Sequence, residues 1–180
     1  MQPGGSDMAR TARLDETELF KELPDDKPKP WHQGIHIPLL GWFPRMNREK
    51  SLYAILITAA AIDSSLDDRE LTEIHALAER TKTLRHLSRA SLDKMHESME
   101  KHLEDEEKVN KYAERATRYF RGASKRQRAS AYMHALDIMF ADQQLTESEK
   151  AHIKALARLM SISAEDARDY VNVMMAKNAN

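Results

Sequence analysis

Residues 53–77 read YAILITAAAIDSSLDDRELTEIHAL, and this stretch decides the fold. Nearly every residue up to Ile62 is apolar, which predicts a helix buried on all sides. Asp63 then ends the apolar run, and a short polar loop follows. From Asp67 onward, apolar residues recur at helical spacing and predict a second, amphipathic helix. The stretch therefore predicts a helix–loop–helix unit with an aspartate at the end of its first helix.

The same pattern returns in residues 132–156, which read YMHALDIMFADQQLTESEKAHIKAL. Asp63 corresponds to Asp142, an interval of 79 (142 − 63). Five further pairs share this interval: Tyr53 with Tyr132, Leu66 with Leu145, Glu70 with Glu149, Ile74 with Ile153, and Leu77 with Leu156. A pattern repeated at one fixed interval indicates two related helical halves.

The whole chain is predicted to be all-α, because no segment shows the sustained two-residue alternation of a half-buried strand. We expect a single bundle of about seven helices with an internal pseudo-two-fold repeat, over residues 48–177. Gly122 is the expected stop of the fourth helix. The predicted helices cover residues 50–63, 67–81, 88–103, 106–121, 124–142, 146–160 and 163–177.

An extended arm, residues 1–47, is predicted before the bundle. Its prolines block helix formation between residues 24 and 44. Both tryptophans, Trp31 and Trp42, lie here among apolar residues that are costly to leave in water. Two interpretations stay open. The arm lies along a groove of the helical body, or it docks on a protein partner or a membrane surface.

Composition narrows the function classes. The chain has 180 residues, 41% hydrophobic and 32% charged, which is typical of a soluble globular protein. A net charge of −1 argues against a nucleic-acid partner. Cysteine is absent, which excludes disulfides and thiolate metal sites. No apolar run reaches the ~18 residues of a membrane helix, and no secretory signal is recognisable, so we expect a cytoplasmic protein.

The two acidic loops are the candidate metal site, because Ca²⁺ and Mg²⁺ prefer oxygen ligands grouped on a turn. Helix capping alone explains the acids at the starts of the second helices. It does not explain Asp63 and Asp142, since a helix dipole disfavours a carboxylate at a C-terminal end. Cation binding and capping therefore both remain open. The candidate ligands are Asp63, Asp67, Glu70, Asp142 and Glu149.

This paired pattern, with Asp after an apolar helix, Leu three residues on and Glu seven on, resembles the TerB-type tellurite-resistance domain. The resemblance covers roughly residues 50–176. It implies an all-helical bundle with internal symmetry, a bacterial origin, a link to tellurite, oxidative or phage-related stress, and acidic residues suspected of binding metal. The glycine that usually follows the aspartate is Ser64 in one loop and Gln143 in the other. The family's loop acids correspond here to Asp63, Glu70, Asp142 and Glu149.

A basic run between Arg115 and Arg128 is a second candidate surface. It can bind an anionic partner, or pair within the chain with the acidic run 97–107. With the arm's tryptophans, it gives the candidate partner-binding residues Trp31, Trp42, Arg118, Arg121, Lys125 and Arg126.

The function expected from these features is a non-enzymatic, bacterial stress-response scaffold or interaction module that binds a divalent cation at the two loops. We expect a protein partner, with association to a membrane surface or membrane-bound complex as a further partner class. The alternative is an interaction protein without metal, which uses the basic run 115–128 or the arm. A more distant alternative is a di-iron enzyme, for which Glu149 and His152 supply one Glu-x-x-His motif. His134 and Asp137 are expected to form a hydrogen-bonded core pair.

Overall fold

The computed structural model describes residues 46–62, 68–100, 102–103, 106–141 and 145–178. Within these ranges there are seven helices and no strand, which confirms the predicted all-α class. The helices are α1 (Arg48–Ala60), α2 (Asp68–Arg80), α3 (Arg89–Glu100), α4 (Glu106–Arg121), α5 (Lys125–Met139), α6 (Glu147–Leu159) and α7 (Ala164–Asn178). None of the described helices is long and apolar enough to cross a membrane.

Helix α1 is the centre of the fold and packs against α2, α3, α4 and α5. Every residue from Ser51 to Ala59 is buried, as the apolar sequence predicts. The side chain of Asn47 accepts a hydrogen bond from the Lys50 N–H at 2.8 Å and caps the helix. For this reason α1 begins at Arg48, two residues before the predicted start.

The boundaries of the helices repeat at the interval found in the sequence. Helices α1 and α5 end at Ala60 and Met139, and α2 and α6 cover Asp68–Arg80 and Glu147–Leu159, so each boundary is displaced by 79 residues. In both halves the first helix contacts the two helices that belong with it: α1 contacts α2 and α3, and α5 contacts α6 and α7. The internal repeat thus holds at the level of helix order and packing.

The predicted C-terminal ends of the two central helices are wrong. Both helices stop three residues before the aspartates at positions 63 and 142. The reason is that the chain turns inward at this point. Ile62 packs in a small cluster with Val109, and Phe140 is 2% exposed in the main core. The aspartates therefore do not lie at the last helical residue, and the dipole argument for a cation there loses force because the effect fades beyond the last turn.

Side-chain caps start the later helices as predicted. Ser124 and Thr146 each form a capping box with the residue three positions on, Gln127 and Glu149. Ser163 accepts a hydrogen bond from the Asp166 N–H at 3.1 Å and caps α7. These caps fix where α5, α6 and α7 begin relative to the turns before them.

The predicted arm, residues 1–47, lies outside the described residues except for its last two. Met46 is 8% exposed and belongs to the main core. Trp31 and Trp42, two of the predicted partner-binding residues, lie outside the described residues.

Candidate functional site

A groove of about 610 Å³ opens where the C-terminal ends of α1, α5 and α7 approach the side of α2 and the start of α6. Its apolar lining comes from both halves of the repeat. Ala59 corresponds to Ile138 and Ala60 to Met139 at the interval of 79, and all four residues line the groove. The groove therefore lies between the two halves.

Residues close in sequence to both acidic loops line this groove. Ala141 immediately precedes the loop that contains Asp142. Ala60 lies three residues before Asp63, whereas Ala61 and Ile62, between them, pack in a separate cluster with Val109.

The charged side chains around the groove carry a small excess of negative charge. Lys177 Nζ donates a hydrogen bond to Asp137 Oδ1, which ties α7 to α5. The expected core pair of His134 with Asp137 is wrong, since the Asp137 carboxylate, 23% exposed, pairs with Lys177 instead. Burial lowers the pKa of His134. The charged residues that line the groove are Glu73, Asp137, Glu149, Arg80 and Lys177.

Glu149 is the one predicted metal ligand whose side chain the structure describes, and it caps α6. Its Oε2 accepts hydrogen bonds from the Thr146 N–H at 2.9 Å and from the Thr146 hydroxyl at 3.2 Å. In return, the Glu149 N–H donates to Thr146 Oγ1 at 3.2 Å. The capping role predicted for Glu149 is therefore present.

The remaining predicted ligands fall on the loops and on the first turn of α2. Asp63, Asp67 and Asp142 lie outside the described residues, and the side chain of Glu70 is not described either. Among the described side chains, no three His, Asp or Glu residues come together closely enough to hold a metal ion. The predicted cation loops thus stay a prediction.

The basic run of α4 and α5 is partly occupied by ion pairs within the chain. Arg118 lies 4.0 Å from Glu114 in its own helix. Lys125 Nζ lies 2.9 Å from Asp166 Oδ1, which joins α5 to α7. Arg126 is exposed. The four candidate residues are Arg118, Arg121, Lys125 and Arg126.

A buried polar chain in the first half escaped the sequence analysis. The Tyr53 hydroxyl lies 2.8 Å from His75 Nε2, and both side chains are fully buried. On the other side of the ring, His75 Nδ1 lies 3.8 Å from Asp93 Oδ1. Burial lowers the pKa of His75 and raises that of Tyr53, so both groups are neutral near pH 7. His75 Nδ1 is buried without a hydrogen-bond partner, so the contact with Asp93 is electrostatic, and the hydrogen bond of the group is the one between Tyr53 and His75 Nε2.

The Tyr53–His75–Asp93 group links α1, α2 and α3. Its role is structural, because Tyr53 and His75 have no access to solvent. The sequence gives little indication of the Tyr53–His75 contact. His75 follows Ile74, a residue of the apolar stripe, and in the second half no histidine stands at the position equivalent to His75, although Tyr132 is equivalent to Tyr53.

His152, proposed above as half of an iron-binding motif, is instead a core residue. It is 3% exposed, and neither ring nitrogen has a hydrogen-bond partner. Burial lowers its pKa to about 4. Glu149, its partner in the motif, is the cap of α6.

The family model described as Tellurite resistance protein TerB matches residues 49–171, from α1 into α7. This range is more than two-thirds of the chain. Comparison with curated proteins and with solved structures gave no match.

Proposed function

The chain belongs to the TerB family, whose members carry a tellurite-resistance domain, and from this premise we propose that it is a non-enzymatic scaffold of a bacterial stress response. In this proposal a divalent cation, Ca²⁺ or Mg²⁺, binds at the acidic loops and regulates association with a protein partner. The ligands are Asp63, Asp67 and Glu70 in the first half, and Asp142 with Glu149 in the second.

One observation carries this proposal: the helix ends on either side of the two acidic loops are displaced by the same 79 residues, and residues close to each loop in the sequence line one shared groove. A cation that bound either loop would lie close to the boundary between the halves. Carboxylates at Glu73, Asp137 and Glu149 already give this region a negative excess, which favours a cation electrostatically. We therefore expect cation binding at the loops to affect the packing of α1 against α5.

Calorimetry tests the proposal with the full chain and each of Ca²⁺, Mg²⁺, Mn²⁺ and Zn²⁺. We expect a binding isotherm with at least one ion and a rise in melting temperature on its addition. The substitutions Asp63→Asn and Asp142→Asn, made singly and together, should weaken or abolish that heat. Asp169→Asn, on the exposed surface of α7, is the matched control and should leave it unchanged.

A further variant separates ligation from capping. Gln127 caps α5 by accepting from the Ser124 N–H at 3.0 Å, so a glutamine side chain serves in this position. Glu149→Gln should therefore keep α6 capped while removing the carboxylate. If it lowers ion affinity without lowering stability, Glu149 is a ligand. Absence of heat and of any thermal shift with all four ions would reject the cation-binding part of the proposal.

A further inference from the structure

We propose that residues 31–40 of this same chain dock into the groove between the two halves. The juxtaposition that carries this inference is an open groove, lined about equally by polar and apolar surface, beside a helix whose preceding segment holds a cluster of large apolar side chains. The inference does not depend on the cation-binding proposal, since the groove and the segment exist with or without an ion.

The groove suits large apolar side chains. Ala60 and Ala76 line its accessible surface with methyl groups only, and Ile138 supplies a larger, partly exposed apolar side chain from α5. Ala59 and Ile74 are each 1% exposed and lie beneath this surface. Charged residues stand around this surface, as is typical of the rim of a recognition site.

The occupant is identified by its composition and its position. Within ten residues the segment 31–40 contains five large apolar side chains, and exposing each one fully would cost about 1.5–3 kcal/mol. Its two internal breaks, Gly34 and Pro38, favour an extended path that can follow a groove. The five are Trp31, Ile35, Ile37, Leu39 and Leu40.

The length of the connection is sufficient. The chain enters the body at Met46, which is buried in the main core beside the start of α1. Helix α1 has 13 residues, a length of about 20 Å, and its far end lines the groove. Extended chain covers about 3.3 Å per residue, so about six or seven residues before Met46 reach the groove. Residues 31–40 lie at or beyond that distance along the chain, whereas Trp42 and Phe43 belong to the connection between Met46 and the groove.

Tryptophan fluorescence tests this directly in the full chain, because the protein has two tryptophans, Trp31 in the segment and Trp42 in the connection to Met46. The variant Trp42→Phe leaves Trp31 as the reporter of docking, and the groove variants are made in this background. In Trp42→Phe we expect emission at shorter wavelength than in urea, with low quenching by acrylamide. Emission that already equals that of the unfolded chain would overturn the proposal.

Two groove variants then test the docking site. Ala76→Arg places a long cationic side chain on an exposed position of the groove, and Glu73→Lys reverses a charge beside it. Each should shift the emission toward that of the unfolded chain and raise the quenching constant several-fold. Ala151→Arg, an exposed mid-helix alanine of α6 outside the groove lining, is the matched control and should change neither.

Three further measurements decide between the occupants. Circular dichroism of each variant shows that the helical body is intact, and Glu73→Lys serves if Ala76→Arg unfolds. An emission maximum independent of protein concentration, with a monomer mass by light scattering, supports docking within the chain. Emission that blue-shifts only at high concentration, or only with lipid vesicles, assigns the segment to a second copy or a membrane and overturns the proposal. Unchanged emission in both groove variants overturns it as well.

Discussion

The hydroxyls of Tyr53 and Tyr132, equivalent residues of the two halves, both bond to the second helix of their own half. Tyr53 meets the ring of His75 at 2.8 Å, whereas Tyr132 donates to the carbonyl of Ile153 at 3.4 Å. Both tyrosines are fully buried. The repeat has thus kept the tyrosine and its direction while the partner changed from a side chain to the backbone.

This difference predicts unequal costs for two identical substitutions. Tyr53→Phe leaves the buried Nε2 of His75 without a partner, so we expect a loss of about 1–3 kcal/mol in the free energy of unfolding. Tyr132→Phe should lose only about 0.5–1 kcal/mol, because the Ile153 carbonyl is also positioned for the bond within α6. Urea unfolding of the two variants measures both values. Equal losses would mean that the His75 contact adds nothing.

His152 predicts a loss of stability in acid. Its pKa falls to about 4 in the folded protein, from an ordinary 6.5, because burial penalises the charged ring. The unfolded chain therefore binds a proton that the folded protein does not, and stability is full above pH 6.5 and falls as the pH drops toward 4. The shift corresponds to about 3 kcal/mol.

His152→Met removes this titration and fills a similar volume, so the free energy of unfolding should depend less on pH between 6.5 and 4. His86→Met, at an exposed histidine, is the control and should keep the wild-type slope. Burial also lowers the pKa values of His75 and His134, so part of the acid sensitivity remains in the variant. An unchanged slope in His152→Met would contradict the burial argument.

The general fold could be predicted because the signals that specify it are local. Apolar spacing gave the seven helices within a few residues, and Ser124, Thr146 and Ser163 marked starts that the structure bears out. The interval of 79 also carried through to the helix boundaries. Periodicity and capping act within a few residues of one another, which is why a sequence pattern reports them.

What could not be predicted depends on contacts between distant residues. The sequence cannot say that Lys177 reaches Asp137, 40 positions away, and so separates that carboxylate from His134. Nor can it say that Ile62 turns into a cluster with Val109 and ends α1 early. His75 looks like any polar residue beside an apolar stripe until Tyr53 is seen against it.

The cap of α6 predicts a graded series at one position. Glu149→Ala removes the acceptor for the Thr146 N–H and hydroxyl, and Thr146→Ala removes the acceptor for the Glu149 N–H. Each should cost about 1 kcal/mol of unfolding free energy. Glu149→Gln should cost much less, as Gln127 fills the same role in α5. Thermal unfolding of the three variants measures the order, and a Gln variant as weak as the Ala variant would show that the charge, not the hydrogen bond, stabilises this end.

Two turns carry a residue type that does not match the backbone conformation: a serine has the left-handed conformation that favours glycine, and a glycine lacks it. After α6, Ser161 has a φ of 54° in a turn closed by the Ile162 N–H to the Ala157 carbonyl at 2.9 Å, a position that favours glycine. After α4, Gly122 was expected to play that part, but its φ is not in the left-handed region. A Cβ built on Gly122 meets nothing within 4 Å.

Ser161→Gly should therefore raise the free energy of unfolding, by about 0.5–1 kcal/mol, because relief of the left-handed strain exceeds the added entropy of the unfolded chain. Gly122→Ala should also raise it, by about 0.4–1 kcal/mol, because alanine restricts the unfolded chain and fits the native turn. Ser161→Ala is the control at the first site. Alanine keeps a Cβ and therefore the left-handed strain, so this variant should not raise the free energy of unfolding. Urea unfolding of the three single variants and of the Ser161→Gly, Gly122→Ala double variant measures these effects. No backbone hydrogen bond joins the two turns among the described residues, so the double variant should show the sum of the two gains. A gain from Ser161→Ala as large as that from Ser161→Gly would contradict the backbone explanation.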